Sequence, residues 1–170
     1  MLIFYKCELI IAIILYKLKY NIWGDKIMNI RVENDCSNVD WNRLRAVLKE
    51  AGMGYRDANI HKKAFENSYS TVFIYDENNL IGFGRAISDG VYQAAIYDIA
   101  VLPSYQGYEI GKIIINNILE SIPQCNAILY ASPGKEAFYN KFNFKKMKTG
   151  MAYFQNAEKM YERGFIEKNK

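Results

Sequence analysis

Histidine is nearly missing from this chain of 170 residues: His61 is the only one. A Ser-His or Cys-His nucleophile would have to recruit it, and no triad pattern surrounds it. It therefore reads as an ordinary surface or helix histidine. Cysteine is almost as scarce. Cys7, Cys36 and Cys125 are odd in number and widely spaced, which excludes a disulfide framework and a thiolate metal cluster. With so few ligands of either kind, no zinc or other metal site is expected, and the thiols suit a reducing cytoplasm. Charge of one sign is also lacking. Lys and Arg number 22 against 18 Asp and Glu, a formal net charge of +4. Apart from Lys145, Lys146 and Lys148 the basic residues are scattered, so no nucleic-acid platform is expected. The apolar run at residues 9–15 falls far short of the roughly 20 residues that a membrane span needs. Lys6, Glu8, Lys17 and Lys19 flank it and no small-residue cleavage site follows, so it makes a poor secretory signal.

What is present describes a globular protein. Hydrophobic residues make up 51% and charged residues 24%, enough for one domain with a real core. No internal repeat or low-complexity linker interrupts it. Met28 opens the stretch Asn29-Ile30-Arg31-Val32, a natural first strand. Residues 1–27 are accordingly expected to lie outside the main fold, as an extension from an upstream start codon. A packed amphipathic helix is the competing reading, and membrane attachment the third.

Periodicity supplies the rest. Residues 39–51 carry Val39, Leu44, Val47 and Leu48 on one helical face, with Asp40 near the start and Gly52 after the end. A weaker helix is expected over 58–67. Residues 69–75 and 80–87 are strand-like, joined by the hairpin signal Asp76-Glu77-Asn78-Asn79. Asp89-Gly90 turns the chain into a strand over 91–102. A helix over 110–122, a strand over 127–131 and a helix over 135–142 follow, then a closing hairpin over 144–154 and a helical tail over 156–164. Strands followed by strand–helix alternation predict an α+β fold, a mixed, mainly antiparallel central sheet with helices on both faces.

Residues 98–112 read DIAVLPSYQGYEIGK: a strand, a glycine-containing loop, and a helix carrying Ile110, Ile113, Ile114 and Ile118. The first turn of such a helix leaves N–H groups unpaired, and its dipole adds positive potential, so the device holds phosphate. Gly107 and Gly111 allow close approach of the backbone. Alone, the pair fits an ordinary strand–helix turn equally well. Downstream, residues 137–144 read Ala137-Phe138-Tyr139-Asn140-Lys141-Phe142-Asn143-Phe144.

Together the two segments resemble the GNAT superfamily of acyl-CoA-dependent N-acetyltransferases. Its pyrophosphate loop, Gln/Arg-x-x-Gly-x-Gly/Ala, is similar to Gln106-Gly107-Tyr108-Glu109-Ile110-Gly111. Its Phe-Tyr-x-Lys-x-Gly-Phe helix matches the later segment, with Asn143 in place of glycine. The stretch 67–154, including Gly82-Phe83-Gly84-Arg85-Ala86-Ile87-Ser88-Asp89-Gly90, is similar to small bacterial members. The resemblance covers most of the chain from Met28, implying an acetyltransferase domain over 28–154 and a tail over 155–170.

The resemblance implies acetyl-CoA as co-substrate and direct transfer of its acetyl group to a primary amine of a small molecule or a peptide. Ile99, Ala100 and Val101 would pair with the pantetheine arm. The pyrophosphate would lie on Gln106, Gly107, Tyr108, Glu109, Ile110 and Gly111, with Lys112 adding charge or simply remaining solvated. Tyr139 would protonate the leaving thiolate, a role its basicity near 10 suits. Asp98 is a candidate base, with a water relay as the alternative. Tyr97 and Asp98 should point to opposite faces of their strand. Arg85, Ser88 and Asp89 are candidates for the acceptor pocket, although a plain hairpin turn explains Asp89-Gly90 as well.

Glu109 departs from the family pattern. Its carboxylate near two phosphate charges should cost about 1 kcal/mol, and it should favour its own helix N-terminus through the dipole. That motivates an alternative reading, a CoA-binding regulatory or interaction module with catalysis weakened or lost. Neither a membrane nor a nucleic-acid partner is expected, and the assembly should be a monomer or homodimer.

Overall fold

The computed structural model describes Ile22–Trp23 and residues 26–168. The expectation for residues 1–27 falls almost wholly outside the described residues. Only strands β1 (Ile22–Trp23) and β2 (Lys26–Ile27) belong to it, paired antiparallel with Ile22 opposite Ile27.

The chain divides into two compact units, Met1–Ala127 and Ile128–Lys170. The first is built on a five-stranded sheet of order β3-β4-β5-β6-β7. Its strands are β3 (Ile30–Glu33), β4 (Ser70–Asp76), β5 (Asn79–Ser88), β6 (Gln93–Val101) and the short β7 (Asn126–Ile128). The neighbours from β3 to β6 run antiparallel. Among the described residues, three α-helices belong to this unit: α1 (Trp41–Glu50), α2 (Ala58–Glu66) and α3 (Ile110–Ser121).

Local chemistry explains the elements. Asp40 caps α1, its Oδ1 accepting the N–H groups of Asn42 and Arg43 at 2.9 and 3.0 Å, and Leu44, Val47 and Leu48 form the buried stripe. The β4–β5 hairpin turns where Asp76 faces Asn79, leaving Glu77 and Asn78 as a two-residue loop. Five consecutive residues of β4, from Thr71 to Tyr75, are buried, so this strand is covered on both faces. Neighbouring residues of β5 identify the two covers. Phe83 meets Phe65 of α2 with ring centroids 5.7 Å apart, while Gly84 faces Ile114 and Ile118 of α3. Trp41, Phe65, Phe73 and Phe83 form a continuous aromatic cluster on the α1–α2 side.

The second unit is lighter. Helix α4 (Glu136–Asn140) and helix α5 (Ala157–Glu162) are short, and Asn156 caps α5 through Lys159 N–H at 2.9 Å. Tyr130 lies edge-on to Phe154 and Phe165, with centroids 5.8 and 5.7 Å away. The hairpin expected over 144–154 is absent: no strand forms there. Met147, Met151 and Tyr153 are 55%, 98% and 88% exposed, so the segment has no buried face to fix a register. The strand expected over 127–131 is likewise reduced to β7.

The fit of α3 on the sheet depends on the missing side chain at Gly84. A Cβ there would come within 2.7 Å of Ile114 Cγ2 and closer still to Ile99 Cδ1. Gly84→Ala is expected to destabilise the protein by about 1–3 kcal/mol through overpacking. A thermal melt checks this, and an unchanged midpoint would show that α3 can withdraw freely.

Candidate active site

The site begins with an irregularity in β6. Phe83 pairs with Ala100 and Arg85 with Tyr97, so Asp98 and Ile99 together face the single residue Gly84. Asp98 adopts φ 55°, the left-handed region, within this bulge. The alternation expected for Tyr97 and Asp98 therefore fails, because a bulge shifts the phase of the strand by one residue. Its effect is to aim Asp98 at Arg85, whose Nε donates to Oδ2 at 2.5 Å. Arg85 also donates to Ser68 Oγ at 3.3 Å and stands over the rings of Tyr97 and Phe65, at 5.4 and 5.7 Å.

Two residues with separate expected roles, a base and an acceptor contact, are thus one charge-assisted pair. One carboxylate oxygen of Asp98 is committed to the guanidinium. Ser88 and Asp89 are engaged elsewhere. Asp89 Oδ1 accepts the N–H groups of Val91, Tyr92 and Gln93, which holds its carboxyl below the usual range. Ser88 Oγ donates to Gln93 O at 2.8 Å and accepts from Gly90 N–H at 2.9 Å. Both polar groups build the β5–β6 turn.

His61, expected as an ordinary surface or helix histidine, lies on helix α2 and is only 7% exposed. Its Nε2 accepts the backbone N–H of Arg56 at 2.9 Å, so the imidazole is neutral with its proton on Nδ1. Burial lowers its pKa most; Asp98 opposes this, while Arg85, Arg56 and Arg45 add to it. The sequence signal was available: at the third and fourth positions back from Phe65 on α2, a residue falls on the same buried face.

Beyond the bulge, Ile99, Ala100 and Val101 lead into a single turn of 3-10 helix, Pro103–Tyr105. Tyr105 Oη donates to Asp76 Oδ2 at 2.9 Å, and Gln106 Nε2 donates back to Val101 O at 3.2 Å. Gly107 sits at φ 87° with open space where a Cβ would point. Glu109 is the N-cap of α3, at φ 62°, and its side chain makes no capping bond. In the first turn of α3 the Lys112 N–H is taken by the Glu109 carbonyl at 2.9 Å, which leaves the N–H groups of Ile110 and Gly111 to face an anion. The carboxylate does not compete for them. It pairs with Lys112 Nζ at 3.2 Å, and both side chains are about half exposed (52% and 57%).

Glu109 thus stands at the N-terminus of α3, as the dipole favours, but its carboxylate is paired with Lys112 and makes no bond to the helix backbone. That pairing weakens the reading of Glu109 as a block to phosphate. Loop, open N–H groups and bulged strand fit an elongated pyrophosphate-bearing ligand such as acetyl-CoA.

In the second unit, Tyr139 lies on α4 among Phe138, at 5.0 Å, and Phe144, at 6.0 Å. Burial raises its pKa above the ordinary 10.0. Asn143 adopts φ 64°, the left-handed conformation that its place at the end of the motif requires. Among the described residues no group of His, Cys, Asp and Glu is arranged to hold a metal ion, and no helix is long and apolar enough to cross a membrane.

Comparison with known proteins bears on the same elements. A family model described as an acetyltransferase (GNAT) domain matches residues 68–146. A crystal structure of a Staphylococcus aureus protein, described as a probable acetyltransferase, superposes with a TM-score of 0.67 at 30% identity, covering 75% of this chain and 99% of that one. An uncharacterized N-acetyltransferase, ycf52-like, from Prochlorococcus marinus is 34% identical over 108 residues, 59% of this chain and 60% of the relative. The chloroplastic GCN5-related N-acetyltransferase 1 of Arabidopsis thaliana is 29% identical over 111 residues, 62% of this chain and 56% of that one. The chain thus spans somewhat over half the length of these two relatives.

Two outcomes test the site. Glu109→Gly relieves a left-handed non-glycine residue worth about 1 kcal/mol and loses only a surface ion pair, so stability should hold or rise. Acetyl-CoA affinity should improve by no more than a few-fold, because Lys112 already screens the carboxylate; calorimetric titration and a melt report both. His61 has a lowered pKa, so its contribution to stability is full above the ordinary value of 6.5 and is lost as pH falls through the lowered value. Urea midpoints should fall more steeply from about pH 7.5 to 5.5 in the wild type than in His61→Gln.

Proposed function

From the membership of this chain in the GNAT acetyltransferase superfamily, we propose that it transfers an acetyl group from acetyl-CoA directly to a primary amine, that of a small molecule or a peptide. The observation that carries the reading is the succession at residues 98–112: bulged strand, open loop with Gly107 at φ 87°, and uncapped helix start. The activity is assigned to residues 28–154. The free thiols Cys36 and Cys125 support placement in a reducing compartment, for which we take the cytoplasm.

In this reading the backbone of Ile99–Val101 orients the pantetheine arm, although Gln106 already takes part of the Val101 carbonyl. The N–H groups opening α3 and the Lys112 ammonium hold the pyrophosphate. Bound acetyl-CoA supplies the thioester; the amine nitrogen forms the new C–N bond as the C–S bond breaks. Tyr139 donates its phenolic proton to the departing sulfur and regains one from solvent. Its raised pKa keeps that proton in place throughout the neutral range. The proton lost by the amine passes to Asp98, one of whose carboxylate oxygens is taken by Arg85, or leaves through a water relay. The pair acts by positioning the bulge.

Acetyl-CoA should bind in the micromolar range or more weakly, about −8 kcal/mol or less favourable. Titration without heat at millimolar acetyl-CoA would overturn the reading. Thiol release measured over a panel of amines tests catalysis. Tyr139→Phe should lower turnover by roughly ten- to a thousand-fold with acetyl-CoA affinity within a few-fold. The wild type should stay active until pH exceeds the ordinary tyrosine value of 10.0, and that alkaline limb should vanish in the variant.

A further inference from the structure

We infer that the acceptor amine also carries a carboxylate, recognised by Arg45 and Arg56 in a cleft where α1 meets α2. The inference rests on the acetyl-transfer reading above and narrows its substrate.

The cleft has a volume of about 310 Å3 and is lined by Arg45, Tyr55, Arg56, Asp57 and Ile60. That is the lower end of the range for small-molecule sites. The first unit contains five arginines. Arg31, Arg43 and Arg85 are each paired with a carboxylate of the protein. The remaining two line this cleft, and among the described residues neither has an ion-pair partner, although Asp57 lines the cleft with them.

All five lining residues are exposed, so the cleft is an open one that a solute reaches directly. The Arg45 guanidinium stands over the Tyr55 ring at 5.5 Å, which restrains its fork. Tyr55 and Ile60 expose 44% and 50% of their surface and offer apolar area to a carbon skeleton. Two guanidinium groups against one carboxylate leave one net positive charge. A monoanionic carboxylate balances it and accepts a guanidinium fork in bidentate fashion. A phosphate dianion would overfill it and face Asp57.

The cleft is also tied to the reaction centre. Arg56 N–H donates to buried His61 at 2.9 Å, and one turn further along α2 the Phe65 ring carries the Arg85 guanidinium at 5.7 Å, the group that holds Asp98 in the bulge. The bond uses the Arg56 backbone, so truncating its side chain leaves the tie intact.

The test uses the full chain and matched amines: 4-aminobutanoate against butylamine, lysine against pentane-1,5-diamine, and phosphoethanolamine against ethanolamine. The expected result is kcat/KM at least about ten-fold higher for a carboxylate-bearing member than for its partner. Arg45→Ala and Arg56→Ala should abolish that preference by raising the acceptor KM, with the KM for acetyl-CoA unchanged; Arg56→Lys should restore it only in part. Equal kcat/KM within the carboxylate pairs, or a preference confined to phosphoethanolamine, overturns the inference while leaving acetyl transfer standing. Should no amine be acetylated although acetyl-CoA binds, acetyl transfer fails and calorimetry with 4-aminobutanoate on the CoA-loaded protein decides. Binding lost in both alanine variants supports the cleft, and no binding to the wild type overturns it.

Discussion

A left-handed residue in the middle of a strand is expensive. For a residue with a Cβ the penalty is about 1–2 kcal/mol, and a bulge also removes a rung from the ladder. In β6 that penalty falls on Asp98, and the charge-assisted bond from Arg85 offsets it. The guanidinium is itself steadied by the rings of Phe65 and Tyr97 and by Ser68. The chain of dependence therefore runs from the aromatic cluster under α1 and α2 to Arg85, from Arg85 to Asp98, and from Asp98 to the phase of Ile99–Val101. The shift in phase sets which faces the side chains of Ile99–Val101 take as the strand enters the loop ahead of α3.

Much of this was legible in the sequence, and the limits follow a pattern. Helices α1, α2 and α3 and the β4–β5 hairpin could be read because local chemistry decides them: Asp40 caps, Leu44 and Val47 repeat, Glu77-Asn78 turns. The phosphate loop could be read as a motif, and the family relationship bears out the fold it implied. The bulge could not, because nothing in DIAV distinguishes a regular strand from one displaced by a pairing with Arg85, thirteen residues away. Residues 144–154 misled for a related reason. Met147, Met151 and Tyr153 alternate as strand residues do, but alternation gives a strand only where a partner buries one face. The carboxylate of Asp89 looked available in sequence and is spent on three backbone N–H groups.

Among the described residues, four other than glycine occupy the left-handed region, Glu77, Asp98, Glu109 and Asn143, and all four have polar side chains. Two of them stand where the family motif prefers glycine. Each side chain narrows the unfolded ensemble relative to glycine, which offsets part of the local strain. The outcome is a loop ahead of α3 and an end of α4 with fewer accessible conformations than the glycine pattern would give. For Glu109 the neighbouring Lys112 neutralises the carboxylate that this choice introduces.

Asp76 joins places that are distant in sequence. One carboxylate oxygen accepts the N–H of Asn29 at 2.8 Å, where the chain enters β3, and the other accepts the hydroxyl of Tyr105 at 2.9 Å, inside the turn that leads to the phosphate loop. A single side chain thus works as a tie-rod between the sheet's edge and the turn that follows β6. Mechanical load applied ahead of Met28, as by a fused partner or a surface tether, is transmitted along that rod to the loop.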